Sequence, residues 1–270
     1  MARDRNVLAI MAHPDDVEFT CAGTLALLQQ RGWEIHIATL TAGDAGSEEL
    51  DPAEISRIRR HEAAASAALL SGEYHCLECQ DGFIAYDRPT LLKVIRVVRE
   101  ARPAIVFAPS PSDYLVDHEI VSALVRTAVF FGGVPNVKTA PFAPHGPVPC
   151  LFYADAVGAA DQYGAALKPS FVVDISETIE IKAQMLSCHR SQRDWLQKQH
   201  GIDEYLRIMR EMSSQCGQLA EAEFGEGFRQ HLGHGYPRIN QLELELGDRV
   251  RLLPEEPSRA GNHLNKARAF

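Results

Sequence analysis

The chain has 270 residues and a formal net charge of −9, from 27 Lys+Arg against 36 Asp+Glu. That length allows one large α/β domain or two small ones, with a core that needs neither disulfides nor structural metal. The acidic balance excludes non-specific nucleic-acid binding, which needs a basic face to neutralise phosphates. No apolar stretch reaches the roughly 20 residues of a membrane span. Residues 1–5 lead straight into an apolar run, without the charged region, long apolar region and cleavage site of a secretory leader, so a cytoplasmic protein is expected. The cysteines (Cys21, Cys76, Cys79, Cys150, Cys188 and Cys216) are then expected to be reduced. Cys76 and Cys79 form the one C-x-x-C, and no second Cys or His pair follows at zinc-site spacing, so they read as a strand-end pair.

Residues 6–12, NVLAIMA, are a short continuous apolar run, the pattern of a strand covered on both faces. Residues 23–31 read as a helix ended by Gly32. A second strand at 34–40 precedes a Gly-rich loop, Thr41-Ala42-Gly43-Asp44-Ala45-Gly46-Ser47. Pro52 stands near the start of a long helix over about 53–70. A short strand at 74–77 ends in the turn Asp81-Gly82, and Pro89 opens a helix reaching about residue 101. Residues 105–108 form a fourth strand, and 118–130 are helical. Helices between short strands predict right-handed βαβ units. The fold class expected is α/β and Rossmann-like: a mostly parallel sheet with helices on both faces.

The second half is less regular. Residues 136–149 are Pro-rich and read as a surface loop. Strands are expected at 151–154 and 171–174, and helices at 177–187 and 204–212. The segment from Phe224 to Tyr236, rich in Gly, His and aromatics, reads as a compact loop holding the tail, with a pocket wall or subunit interface as alternatives. His231 and His234 lack the i, i+4 spacing of a helical zinc pair. The expected organisation is a single domain, 1–248, followed by a charged tail or arm, 249–270.

His13-Pro14-Asp15-Asp16 follows the first strand. In an open α/β sheet, sites are built at the carboxyl ends of strands. A histidine and two carboxylates there are costly unless something compensates them. A divalent metal does so: zinc takes His and carboxylate ligands, and catalytic zinc sites use three protein ligands and keep one position open. The tetrapeptide supplies two ligands and a spare carboxylate suited to a general base. The third ligand is expected from Asp113-Tyr114-Leu115-Val116-Asp117-His118-Glu119, after the fourth strand. His118 is the natural choice, with Asp117 beside it as a partner that orients a histidine. The competing roles are helix capping for Asp15 or Asp16 and an ordinary surface position for His118. A two-His, one-carboxylate set also suits a mononuclear iron(II) oxygenase, but that fold is usually a jelly roll. The third class is a non-hydrolytic sugar- or nucleotide-binding Rossmann module, in which two carboxylates would repel a pyrophosphate.

Ala12-His13-Pro14-Asp15-Asp16-Val17-Glu18 also resembles the signature of the LmbE-like (PIG-L) zinc-dependent de-N-acetylases. Weaker segments resemble that family in the expected order: the loop from Thr41 to Gly46, Ile58-Arg59-Arg60-His61-Glu62-Ala63, Asp81-Gly82, Asp117-His118, Val173-Asp174-Ile175 and His189-Arg190-Ser191-Gln192. The resemblance implies one zinc ion per chain, or another divalent metal, held by His13, Asp16 and His118. It implies Asp15 as general base and Arg59 as a substrate contact, with Asp44 and Asp117 also set on the substrate side. The substrate implied is a small N-acetylated sugar or glycoside whose linear amide is hydrolysed, and the assembly implied is a homo-oligomer. One position departs from the family pattern. Leu115 stands where the family usually carries a histidine that stabilises the oxyanion. His189 is the first candidate for that role and Tyr114 the second. The plain alternatives are a helix C-terminal histidine favoured by the dipole for His189 and a solvated helix arginine for Arg59.

Overall fold

The first apolar run becomes β1 (Asn6–Met11) in the structure, a computed structural model that describes residues 5–193 and 205–254. Its alternate side chains divide between two cores. Val7, Ala9 and Met11 face one, Leu8, Ile10 and Ala12 the other, and all six are buried. A strand covered on both faces has no use for polar positions, which is why this segment reads as unbroken apolar sequence.

Among the described residues eight strands form one sheet in the order β3-β2-β1-β4-β5-β7-β6-β8. These are β2 (Glu34–Thr41), β3 (Glu73–Cys79), β4 (Ile105–Ala108), β5 (Cys150–Ala154), β6 (Phe171–Asp174), β7 (Gly225–Gln230) and β8 (Val250–Leu252). The first five are mutually parallel, and β7 pairs antiparallel with both β5 and β6. One core contains residues of α2 (Ala22–Gln30), α3 (Pro52–Ala68), α6 (Ile179–Leu186), α7 (Tyr205–Gln218) and α8 (Gln241–Leu246). The other is built on α4 (Arg88–Ala101) and α5 (Val116–Phe131). The single α/β domain with a mostly parallel sheet is thus as the patterning implies. Among the described residues no helix is long and apolar enough to cross a membrane.

β1 lies between β2 and β4, so the chain leaves it toward opposite sides of the sheet. That reversal opens a crevice at the carboxyl ends of β1 and β4. The loops that follow these two strands carry His13-Pro14-Asp15-Asp16 and the segment from Asp113 to His118.

Three segments differ from expectation. The expected first helix is preceded by a separate turn, α1 (Asp16–Thr20), interrupted at Cys21, where φ is −145°. The start of the 224–236 segment is β7, a strand and not a loop. Its glycines conceal it from strand patterning, yet they are there for close approach: a Cβ on Gly225 would sit 2.5 Å from Val172, and one on Gly227 2.3 Å from Asp155 Oδ2. The tail expected from residue 249 begins inside the sheet, since Val250–Leu252 pair with β6 as β8. Residues 255–270 lie outside the described residues. All six cysteines are free thiols, including Cys76 and Cys79 in β3.

Candidate active site

Asp15 stands at the N-cap of α1 with φ 97° and ψ −23°. A residue with a Cβ adopts positive φ only at a cost. The side chain makes no capping bond, so helix capping is not what holds it there. Its Oδ2 instead accepts a hydrogen bond from the Tyr205 hydroxyl, 190 residues away in sequence. Asp16 is fixed separately: its Oδ2 accepts from the backbone N–H of Ala12 at 3.1 Å and of His13 at 2.8 Å. The two adjacent carboxylates therefore serve different partners.

His13, Asp16 and His118 offer one ligand atom each, all within 4.8 Å of one another. Asp16 Oδ2 lies 3.5 Å from His13 Nδ1 and 3.4 Å from His118 Nε2. Each histidine has its other nitrogen on a carboxylate: His13 Nε2 is 3.2 Å from Asp117 Oδ2, and His118 Nδ1 is 2.9 Å from Asp113 Oδ1. Those carboxylates are anchored in turn. Asp117 Oδ2 accepts from Gly82 N at 2.7 Å, and Asp113 Oδ1 from Leu115 N at 3.1 Å. His118 Nε2 is buried without a hydrogen-bond partner. An orphaned imidazole nitrogen facing a carboxylate, with the opposite ring nitrogen pinned, is the arrangement a divalent metal completes. The donor set fits such an ion. Asp117 is buried with its Oδ2 on His13 Nε2 and Gly82 N, the position of a group that orients a histidine. Asp113 escapes sequence reading because its link to His118 depends on how the loop folds at the start of α5.

Without a metal the cluster holds protons in its place. Burial disfavours a charged His13, but the hydrogen bonds to Asp117 and Asp16 outweigh it and hold its pKa up to about 10. Burial likewise opposes charge on His118, yet Asp16 and Asp113 raise it to about 11. Both values lie above the usual 6.5, so these protons stabilise the metal-free fold at neutral pH and the benefit is lost as pH rises through 10–11. A metal must displace both protons. Binding is therefore expected to release about two protons per ion at pH 7 and to tighten as pH rises; calorimetry in buffers of different ionisation enthalpy reads this directly. Asp117→Ala is expected to weaken metal binding by about 10–100-fold, through loss of the partner that orients His13. A competition titration with a chromophoric chelator checks it.

Arg59 is 4% exposed. Its guanidinium donates to Gly43 O at 3.2 Å and Pro14 O at 3.3 Å, tying the loop after β1 to the loop after β2. A Cβ on Gly43 would meet this guanidinium at 2.4 Å, and φ there is +77°, so glycine is required twice over. Asp44 Oδ1 accepts from Asp81 N at 2.8 Å, lacing the loops after β2 and β3. His189 is 1% exposed, with Nε2 3.2 Å from Glu18 Oε1. Glu18 also accepts from the Ser66 hydroxyl at 2.5 Å. Burial opposes a charged His189, but Glu18 and Asp15 raise its pKa overall. Tyr114 is 57% exposed and stands edge-on to the His118 ring at 5.5 Å. Tyr205 and Glu18 are site residues that sequence reasoning misses. Glu18 lies within the signature itself; Tyr205 occupies an ordinary position on an amphipathic helix, with no local sign of its partner.

Residues 8–129 match the family described as GlcNAc-PI de-N-acetylase, PIG-L. Diacetylchitobiose deacetylase of Thermococcus kodakarensis is 31% identical over 198 residues, 70% of each chain. The chain belongs to the PIG-L family. The structure of the N,N'-diacetylchitobiose deacetylase from Pyrococcus horikoshii in complex with its inhibitor MPG superposes with a TM-score of 0.71 at 27% identity, covering 87% of both chains. A further relative, 4-oxalmesaconate hydratase of Pseudomonas putida, is 27% identical over 171 residues, 56% of this chain and 66% of that protein. The PIG-L match contains His13, Asp15, Asp16, Arg59 and His118 but ends before His189 and Tyr205.

Proposed function

We propose that this PIG-L chain is a metal-dependent amidohydrolase that removes an N-acetyl group, or a close N-acyl analogue, from a small amino-sugar substrate. What carries the reading is the pairing of a His13–Asp16–His118 donor set with a separate, partly buried carboxylate, Asp15, in the crevice at the β1/β4 reversal. His13, Asp16 and His118 would hold one zinc ion. Zinc supplies Lewis acidity, polarising the amide carbonyl and lowering the pKa of a coordinated water from 15.7 to about 7.

Asp15 takes the proton from the attacking water and returns it to the leaving amine. Its Oδ2 is engaged by Tyr205, which leaves Oδ1 for that proton. Burial raises the Asp15 pKa above the ordinary carboxylate range, and the Arg59 guanidinium opposes the rise. A base so placed gains proton affinity while staying ionised against a neighbouring cation.

The oxyanion role falls to Tyr114 over His189. Tyr114 is exposed with its ring edge-on to His118, and partial desolvation of its hydroxyl together with the charges of Asp16, Asp113 and Asp15 pushes its phenol pKa up, so it keeps the proton it must donate. His189 faces Glu18 with no exposed edge, and its part is to counter the negative charge around Asp15. Arg59 positions the two loops, and Asp44 faces the sugar with the oxygen that Asp81 leaves free. Tyr114→Phe is expected to lower kcat by about 10²–10³-fold with little change in KM, the usual effect of losing one oxyanion donor; steady-state kinetics on the best substrate check it. The same reading makes the enzyme a homo-oligomer, on the strength of the family resemblance.

The test is a screen for free-amine release across N-acetylated sugars, glycosides and nucleotide sugars, with and without a chelator. Chelator-sensitive amine release is the expected result. Hydration of an unsaturated acid, with no amine released from any member of the panel, would overturn the reading in favour of the chemistry named for the hydratase relative.

A further inference from the structure

A second cluster of metal-ligating side chains lies at the other end of the sheet. His36 on β2 is in register with Glu73 on β3, and Ala38 with His75. Glu73 and His75 are two residues apart on one strand, so they share a face. His36 Nδ1 is 3.2 Å from His75 Nε2 and 3.6 Å from Glu73 Oε2, and His75 Nε2 is 4.0 Å from the same oxygen. Ligands about 2.0–2.1 Å from a tetrahedral zinc stand about 3.3 Å from one another. The two histidine nitrogens already have that separation, and the carboxylate needs a shift of under an ångström to reach it.

Access and charge agree. The two imidazoles are largely buried, while the Glu73 side chain is 62% exposed and open to solvent. Glu34 and Glu100 add negative potential at His36. The two ring nitrogens face each other, so at most one proton is shared between them in the neutral pair, and a cation can occupy that place instead. The cluster is remote from the catalytic crevice: β2 rises about 3.3 Å per residue, which sets His36 about 16 Å from Thr41 at the carboxyl edge.

We propose that His36, Glu73 and His75 form a second divalent-metal site, for zinc or a similar ion that favours imidazole and carboxylate ligands. The ion ties β3, the outermost strand of the parallel side, to β2. An outermost strand exposes unpaired backbone groups, and a metal crosslink at its start holds it in register. Two imidazoles and one carboxylate with a position left for water suit zinc, nickel or copper(II) better than magnesium or calcium, which take oxygen ligands.

The test counts metal in the holoenzyme after equilibration with low-micromolar free zinc. Two equivalents per chain are expected for the wild type and one for His75→Ala or His36→Ala, with amide hydrolysis unchanged. Glu73→Gln keeps the side-chain shape and should weaken the second equivalent by at least the roughly 10–100-fold seen when a ligand loses its hydrogen-bonded partner. Hydrogen exchange adds a readout that does not depend on turnover: zinc should slow exchange of β3 amides in the wild type and not in His75→Ala. A wild type that takes up a single equivalent overturns the proposal. So does a second equivalent that survives either histidine substitution.

Discussion

Asp15→Asn is expected to lower turnover by about 10²–10⁴-fold, the range a positioned general base contributes, with the bound metal retained. The substitution keeps the size of the side chain and an oxygen that can accept from Tyr205, while removing the group that takes a proton. Metal retention follows from the division of labour between the two adjacent aspartates. Asp16 faces both histidines and is anchored by two backbone N–H groups, whereas Asp15 contacts Tyr205 from α7. In the wild type the rate should fall as pH drops through the Asp15 pKa, because the base acts only when ionised; burial raises that pKa in the metal-free protein. The variant should lose this fall. Elemental analysis and a pH profile of kcat/KM decide the matter. Loss of metal from Asp15→Asn would move Asp15 into the ligand set, and a near-wild-type rate would remove it as base.

Glu226→Gln is expected to destabilise the protein by about 3–5 kcal/mol, the cost of breaking a buried ion pair from one side. Glu226 and Lys182 are both almost fully buried, with Lys182 Nζ 2.6 Å from Glu226 Oε1. The glutamate does more than neutralise the lysine. It accepts from Gly23 N at 2.9 Å, Thr24 N at 2.7 Å and the Thr24 hydroxyl at 2.6 Å, at the start of α2. A carboxylate is favoured there by the helix dipole and by the unpaired N–H groups of the first turn. Among the described residues Lys182 Nζ has one other acceptor, Phe19 O at 2.9 Å. The two sides of the pair are therefore unequal. Lys182→Met leaves a carboxylate still holding three donors, and it should cost less than Glu226→Gln, which leaves the buried ammonium without a counter-charge and sets an amide NH2 where a carboxylate oxygen was. Denaturant unfolding at fixed metal concentration ranks the two variants; the reverse order would show that the lysine, and not the helix start, is the main client of Glu226.

The alternation of short apolar strands with helices, and through it the parallel half of the sheet, is written in the amino-acid sequence. So are the polar cluster after β1 and the one after β4. These features are legible because they are local. Burial on both faces makes a strand continuously apolar, and proline, glycine and aspartate mark the ends of elements within a few residues. The neighbouring roles in the signature are not local, and the tertiary structure decided them. Asp117 reaches His13 only because β4 and β1 lie side by side, and Asp113 holds His118 only through the fold of the loop that leads into α5. Tyr205 reaches Asp15, and Glu226 reaches α2, only because α7 and β7 pack against the first helices. β7 itself is hidden by glycines whose value lies in contact with Val172 and Asp155. His189 looks from its position in the chain like a group for the crevice, but packing turns it toward Glu18. What a buried charge needs is a partner, and the partner is chosen by which elements meet in space, a relation that no periodicity along the chain records.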